Sequence, residues 1–439
     1  MKTNRTIGLD IGTTTISAVL RDTQTGAVLA VRNIPNDTNL PSSHPWEHMQ
    51  NPEQIREKTE ALLIDLCRDG ADAIGITGQM HGILQTDREG RALSPLYTWQ
   101  DGRAGLGAVS ACGEILSKTG YRTSAGYGLA THFALLKAGD VPENAACLCT
   151  VMDYIAMGLC GLSRPVIHAT NAASLGLYRM DADTFDVRAA EVLGMDSAIL
   201  PEVTNRCRIL GEWKNIPVAA AIGDNQAAFL GSVQDRDRTV LVNIGTGSQI
   251  TMTCGRDAPI LTGSVETRPF LEDSRILSGS GLCGGRAYAI LEKFFRGYAA
   301  ALGLPDTERY DVLNRLAEKG LAEGKILSVR TTFCGTREDP DLLGQITDIG
   351  ENDLTPEGLA AGVLNGMVQE LYGMYDAVGS GKADILAASG NAVRKNPVLQ
   401  RILADTFGMP VQIPDHTEEA AYGAALFAQM ALDTGTDCR

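Results

Sequence analysis

The sequence is short of positive charge, of histidine, of aromatic residues and of long apolar runs. Lys and Arg number 38 against 53 Asp and Glu, a formal net charge of −15. That balance excludes general binding to nucleic acid or to an anionic membrane surface, both of which need basic stretches. No apolar run approaches the roughly 20 residues that cross a bilayer. The start, Met1-Lys2-Thr3-Asn4-Arg5, leads straight into a strand pattern without the apolar core of a secretory leader, so the expected location is the cytoplasm. The ten cysteines show no C-x-x-C spacing. Cys147 and Cys149 are the closest pair, and strand alternation turns them to one face. Free thiols in a reducing compartment are expected rather than disulfides or zinc. A Walker-type nucleotide site is excluded as well, because no G-x-x-x-x-G-K-[ST] run exists.

What is present is an ample aliphatic core and an internal repeat. A chain of 439 residues is too long for one core and fits two domains of about 200 each. The charged link Gln234-Asp235-Arg236-Asp237-Arg238 divides it into 1–235 and 236–439. Near the start, Ile7-Gly8-Leu9-Asp10-Ile11-Gly12-Thr13-Thr14-Thr15 reads as a buried strand, a small-residue turn and a second strand. Gly12 permits a tight turn and close approach of a ligand. Such a turn gathers amides and, with Thr13 and Thr14, hydroxyls around one point, which suits a phosphate. Asp10 at the strand tip is placed for the Mg2+ that accompanies a nucleotide. A plain hairpin, with Asp10 satisfying backbone donors, accounts for the stretch equally well.

Val240-Leu241-Val242-Asn243-Ile244-Gly245-Thr246-Gly247-Ser248-Gln249 repeats the pattern, with Asn243 where the first copy has Asp10. Two such loops far apart in sequence indicate a duplicated domain. Between them the chain alternates strands and helices. Asn51-Pro52-Glu53-Gln54 is a helix start. The strand Ala71 to Thr77 ends in Gly78-Gln79-Met80-His81-Gly82, a polar trio at a strand end where α/β sheets gather ligands; a turn with a structural His81 is the alternative. Ile83–Asp87 and Ala92–Ser94 read as a hairpin. Tyr97-Thr98-Trp99-Gln100-Asp101-Gly102-Arg103 joins an aromatic face to charged forks, which is sugar-binding chemistry. A buried Trp beside an Asp101–Arg103 ion pair fits the same residues. Asp224 follows a small-residue strand, Val218 to Gly223, and opens a helix with Asn225. It is either a helix cap worth about 1 kcal/mol or a general base. Gly279-Ser280-Gly281-Leu282-Cys283-Gly284-Gly285 matches the dinucleotide fingerprint literally. The helix after it leads into another helix rather than a second strand with a ribose-binding acid, so that reading is rejected. Ser389 to Pro397 follows a late strand, and Glu418 to Leu426 begins a final small-residue helix.

Taken together, the two Ile-Gly-Thr loops, Gly223-Asp224-Asn225-Gln226 and Ser389 to Pro397 resemble the FGGY carbohydrate kinases. The resemblance covers essentially the whole chain. It implies an α/β fold of two ribonuclease-H-like domains of the actin/hexokinase type, with mixed sheets flanking a deep catalytic cleft. It also implies ATP and Mg2+, a small-molecule sugar acceptor, and a monomer or homodimer. Carried over residue by residue, Asp10 would face the metal, and Gly12, Thr13, Thr14, Gly245 and Thr246 the phosphates. Gly284, Gly285, Gly390, Asn391 and Asn396 would surround the rest of the nucleotide. The adenine side is where the chain departs from its relatives, which often carry a glycine run in place of Gly390-Asn391-Ala392. Asp224 would be the base. Gln79, Met80, His81, Trp99, Asp101 and Asn225 would line the sugar site. Within the family, the segments Gln79–His81, Thr98–Arg103 and Cys160–Ser174 most resemble the branch that phosphorylates the seven-carbon ketose sedoheptulose. Xylulose and other pentulose or polyol kinases are the alternative. A nucleotide-gated binding protein on the same fold is a more distant one, and a retained Asp224 argues against it.

Overall fold

The computed structural model describes residues 3–105, 107–116, 124–336, 339, 341–379 and 383–436. The chain forms two compact units, one of Met1–Gly231, Arg268–Ser274 and Glu418–Arg439, the other of Ser232–Thr267 and Arg275–Thr417. Each is built on one six-stranded sheet.

In the first unit β1 (Arg5–Ile11), β2 (Thr15–Asp22) and β3 (Val28–Pro35) form an antiparallel meander. On its other side β1 pairs in parallel with β4 (Ala73–Gly78). β5 (Ile209–Trp213) and β6 (Ile216–Ala219) complete the order β5-β6-β4-β1-β2-β3. The near-continuous apolar run of β1 follows from its central place, covered on both faces. Helix α1 (Pro52–Leu66) starts as its sequence dictates. The Asn51 side chain accepts from the amides of Glu53 and Gln54, and Ile55, Leu62, Leu63 and Leu66 are buried against the sheet. Smaller helices α2 (Ala169–Leu175) and α3 (Asp224–Ser232) follow. The expected hairpin after residue 83 is only half formed. Leu84–Thr86 pairs with Cys147–Cys149 instead, and the return arm keeps a single bridge at Ala92. There the Ser94 hydroxyl accepts the amide of Gln85, and Pro95 has no amide to extend a ladder.

The second unit repeats the scheme. β7 (Thr239–Ile244) pairs antiparallel with β8 (Ser248–Gly255) and parallel with β11 (Ile385–Ser389). With β9 (Val265–Pro269), β10 (Ser274–Gly281) and β12 (Val411–Gln412) the order is β9-β10-β8-β7-β11-β12. Helices α4 (Gly285–Ala301), α5 (Tyr310–Ala322), α6 (Pro356–Ala377), α7 (Asn391–Lys395) and α8 (Pro397–Phe407) accompany it. Val242, Ile244, Leu364, Met367 and Leu386 belong to its core.

A division at residue 235 assigns the last helix, α9 (Glu419–Thr436), to the second domain; by its contacts it belongs to the first unit. It lies on β1 and β4 with backbone nearly touching backbone. A Cβ on Gly8 would stand 1.8 Å from the carbonyl oxygen of Ala421, and one on Gly75 1.8 Å from that of Ala424. No described helix is long and apolar enough to cross a membrane.

Candidate active site

The loop after β1 is held from outside. The Gly12 amide donates to the Thr15 carbonyl at 3.0 Å, closing the turn. Asn36 grips the Gly12 and Thr14 carbonyls, and Gln50 donates to that of Thr13 at 2.8 Å. The Gly12 amide is therefore spent within the turn, and Gly12 contributes shape rather than a donor. Thr13 is the junction of the site. Its hydroxyl accepts the Trp99 indole N–H at 3.0 Å and donates to Gln79 at 3.4 Å, while Gln79 donates to Gln50 at 2.8 Å. Three segments that sequence alone marked separately thus meet on one hydroxyl.

The sugar-side residues divide. Trp99 is about half exposed, at 48%. His81 sits at φ +74°, a conformation rare for a side-chain-bearing residue and common at binding sites. Its Nδ1 lies 2.7 Å from the Ser174 carbonyl, so it carries the proton, and its ring stacks on Tyr127. Met80 is buried and packs where a side chain on Gly223 would go. Gln79 is buried and committed to the network above. Asp101 departs from the sugar-ligand expectation. Its side chain is fully buried, both oxygens take the Arg103 guanidinium, and one also takes the His48 amide. That leaves no lone pair aimed at a ligand, so Asp101 holds Arg103, which lies over the Tyr97 ring at 4.2 Å. His44 and Trp46 stack on one another nearby. Asn171 and Ser174, on α2, are drawn in: Asn171 donates to the Ala221 carbonyl at 3.0 Å. Ser163 and Arg164 are not. They line a separate pocket of about 830 Å3 with Asp87, Glu143 and Asp196.

Asp224 is the first residue of α3. The Gly223 carbonyl accepts the first helical bond, from the Ala227 amide, so Gly223 holds the capping place and Asp224 stands inside the first turn. Its carboxylate accepts the Asn225 amide at 2.6 Å. Burial raises its pKa to about 6, against the Asn225 amide and the Arg268 guanidinium, which lower it. Burial, then the charges of Asp224 and Glu418, raise Asp10 to about 7. Two carboxyls with raised pKa values, the charge of Asp224 acting on Asp10, are the kind of perturbed pair that marks a candidate reaction site. The helix bearing Asp224 is fixed by α9: a Cβ on Gly423 would stand 1.8 Å from the Ala227 carbonyl oxygen.

The second unit carries a pocket of about 580 Å3, within the usual range for a small-molecule site. Gly245, Thr246, Gly285, Asn391 and Asn396 are among the residues that line it. Gly284 and Gly390 lie behind that lining. The Gly285 and Arg286 amides donate to the Gly245 and Thr246 carbonyls, so these two amides fasten the second loop rather than face a ligand. Asn396 caps α8, accepting from Val398 and Leu399, and donates to Asn314 at 3.0 Å. Its polar atoms are committed. Sequence reading missed Tyr288, Tyr310 and Asn314. The Tyr288 hydroxyl donates to Asn314, and the two tyrosine rings lie 6.1 Å apart on the pocket wall. The helix opened by Gly284-Gly285 was the available signal for Tyr288, three residues on. Asn314 and Tyr310 carry no local signal.

Among the described residues no three His, Cys, Asp or Glu side chains are grouped to hold a metal. Mg2+ commonly takes one or two carboxylates plus phosphate oxygens. Asp10, whose pKa is raised by burial and then by the neighbouring charges of Asp224 and Glu418, fits as the protein ligand.

Comparison with known proteins places the chain. The N-terminal domain of the FGGY family of carbohydrate kinases matches residues 5–241, and the C-terminal domain matches 266–432. Sedoheptulokinase of Homo sapiens is 29% identical over 96% of both chains. A glycerol kinase of Thermus brockianus is 28% identical over 95% of this chain and 88% of its own. Among solved structures, a xylulose kinase from Rhodospirillum rubrum superposes with a TM-score of 0.83 at 22% identity, covering 97% of this chain and 89% of its own. The chain belongs to the FGGY family of carbohydrate kinases and is an ATP-dependent sugar kinase.

Proposed function

We propose that the chain transfers the γ-phosphoryl group of ATP to the terminal hydroxyl of a ketose, most specifically sedoheptulose, giving sedoheptulose 7-phosphate. The observation that carries the chemistry is Asp224, a half-buried carboxylate at the start of α3 whose pKa is raised to about 6 and whose charge acts on Asp10. At neutral pH it is ionised and still basic enough to accept a proton. Asp224 takes the hydroxyl proton as that oxygen attacks the γ-phosphorus in line; the bond to the β–γ bridging oxygen breaks and ADP leaves. Asn225, His81 and Trp99 orient the sugar, with Met80 and Gln79 shaping the wall behind them. Thr13 and Thr14 are the phosphate contacts of the first unit, and Thr246 lines the nucleotide pocket of the second. The pocket walled by Tyr288, Tyr310 and Met367 takes the nucleoside, with Asn391 at its edge. Asp10 would hold Mg2+, which when bound neutralises phosphate charge.

The sedoheptulose assignment is supported by likeness to mammalian sedoheptulokinases across nearly the whole chain. ADP release measured with ATP, Mg2+ and a panel of five- to seven-carbon ketoses tests it. Sedoheptulose is expected to give the highest kcat/KM. A higher value for xylulose or ribulose would leave the kinase chemistry standing and overturn the acceptor.

A further inference from the structure

Resting on the assignment of the second unit's pocket to the nucleoside, we infer that Asn314 sets which purine that pocket accepts, and that Asn396 and Tyr288 fix the sense in which it does so. Asn396 caps α8: its Oδ1 accepts the amides of Val398 and Leu399 at 3.0 and 3.1 Å. A backbone amide only donates, so this oxygen cannot trade places with the nitrogen of the same side chain. The Asn396 Nδ2 therefore turns to Asn314 and donates to its Oδ1 at 3.0 Å. The Tyr288 hydroxyl gives its one proton to the same oxygen, also at 3.0 Å. A helix start thus dictates which end of Asn314 is donor and which is acceptor.

Two groups are left to meet a ligand. The half-buried Asn314 keeps both N–H groups of Nδ2, which have no partner among the described residues. Tyr288 keeps the lone pairs of its hydroxyl oxygen. Both residues line the pocket together with apolar Leu364, Met367 and Leu399. A fixed donor next to a fixed acceptor on such a wall orients a flat polar ring. Adenine offers the matching pair on one edge: N1 accepts from the Asn314 amide, and the N6 amine donates to the Tyr288 oxygen. Guanine carries the pair in the opposite order. Its O6 would face the Tyr288 oxygen and its N1–H the Asn314 amide, so acceptor meets acceptor and donor meets donor. A base tied through its ribose to a held polyphosphate does not turn over to exchange them. Polar groups left unpaired in a site built to hydrogen-bond are what make discrimination large.

The test is calorimetric binding of ATP, GTP and purine riboside triphosphate, which lacks the amine, to the full chain, with thermal melting beside it. Wild type is expected to bind ATP at least about thirtyfold more tightly than GTP, and about fivefold or more over purine riboside triphosphate. Asn314→Asp keeps both internal bonds, since each needs only an acceptor, and replaces the donor by a second acceptor. It is expected to melt near wild type and to cut the preference for ATP over GTP at least about tenfold. Tyr288→Phe should bring ATP and purine riboside triphosphate to within about twofold of each other. A wild type without the preference for ATP overturns the inference. So does a preference that Asn314→Asp leaves unchanged, or an amine preference that survives Tyr288→Phe. Ala289→Trp fills the same pocket from α4 and separates the two readings. Unchanged ATP affinity in that variant would take the nucleoside out of this pocket, and the role of Asn314 with it. Weakened ATP binding there, beside an unchanged purine preference in Asn314→Asp, would overturn the role of Asn314 alone.

Discussion

Asp10 and Asn243 occupy equivalent places in the two units. Each stands just before the Ile-Gly pair of its loop, and each faces a hydroxyl residue across a parallel strand pair: Asp10 opposite Thr77, Asn243 opposite Ser389. Even the next contact repeats. A Cβ on Gly78 would lie 2.5 Å from the Ile11 carbonyl oxygen, and one on Gly390 2.5 Å from that of Ile244. The chemistry at the two places differs. The Asn243 amide donates to the Ser389 hydroxyl at 2.8 Å, a closed neutral pair. Asp10 is pushed up to about 7 by burial and by two other carboxylates, and the buried Thr77 hydroxyl has no hydrogen-bond partner among the described residues. Duplication kept the backbone in both copies. Only the first copy places a carboxyl there, and a carboxyl whose charged form is disfavoured by its surroundings is costly enough that function is the expected reason for keeping it.

The sharpest way to break the comparison is to turn the first copy into the second. Asp10→Asn is expected to lower Mg2+-dependent turnover by about a hundredfold or more, consistent with loss of a key electrostatic group, while the folded protein melts no lower than wild type. Steady-state kinetics across Mg2+ concentrations, beside a melting curve, would check both halves.

The next effect is on stability against pH. Asp10 and Asp153 are raised to about 7 and Asp224 to about 6, burial being the main cause in each. A raised carboxyl pKa means that the folded state holds protons more tightly. The stability it confers is complete below the unfolded value and is lost as pH climbs through the folded one. His132 and His168 are lowered to about 4 by burial and act oppositely, but only below about 6.5. Between pH 6.5 and 8 the carboxyls act alone. Chemical denaturation of the ligand-free protein should therefore show a loss of about 1–3 kcal/mol over that interval, and Asp10→Asn should remove about half of it, Asp153 accounting for most of the rest.

Smaller still is a paired test of the two hydroxyls. Ser389→Ala strands the Asn243 amide and should cost about 1–2 kcal/mol. Thr77→Val removes a hydroxyl with no partner and should cost about zero by the same measure. Equal losses would erase the distinction drawn above. Last, Trp99→Phe keeps the ring but loses the bond to Thr13. The expected result is a few-fold rise in the KM for ATP at saturating sugar; an effect on sugar KM alone would uncouple the two loops.

Much of this was legible in the residues. The repeat, the strand–turn–strand loops and the helix starting at Asp224 rest on local pattern, and local pattern survives folding. The strands ending at Thr77 and Ala388 were read as strands, but their pairing beside the two loops, and Thr77-Gly78 and Ser389-Gly390 as a second half of the repeat, were not, because so few residues carry too little signal. Asp101 and Asn396 looked like ligands from their chemistry, yet neighbours brought in by the fold consume their polar atoms: Arg103 and His48 for one, Asn314 and the α8 amides for the other. Tyr310 and Asn314 were out of reach for the same reason, since a residue's place on a pocket wall depends on helix packing between distant segments.

The central claim is that Asp224 is a base rather than a helix-terminus residue, and single-turnover phosphoryl transfer by Asp224→Asn tests it most directly. Asparagine serves a helix start about as well as aspartate but cannot accept the proton. The account predicts near-normal melting, retained binding of ATP and sugar, and a chemical step slowed by about 10²–10⁴. A variant that keeps more than about a tenth of the wild-type rate of that step would contradict it, since general-base help is worth more than that factor.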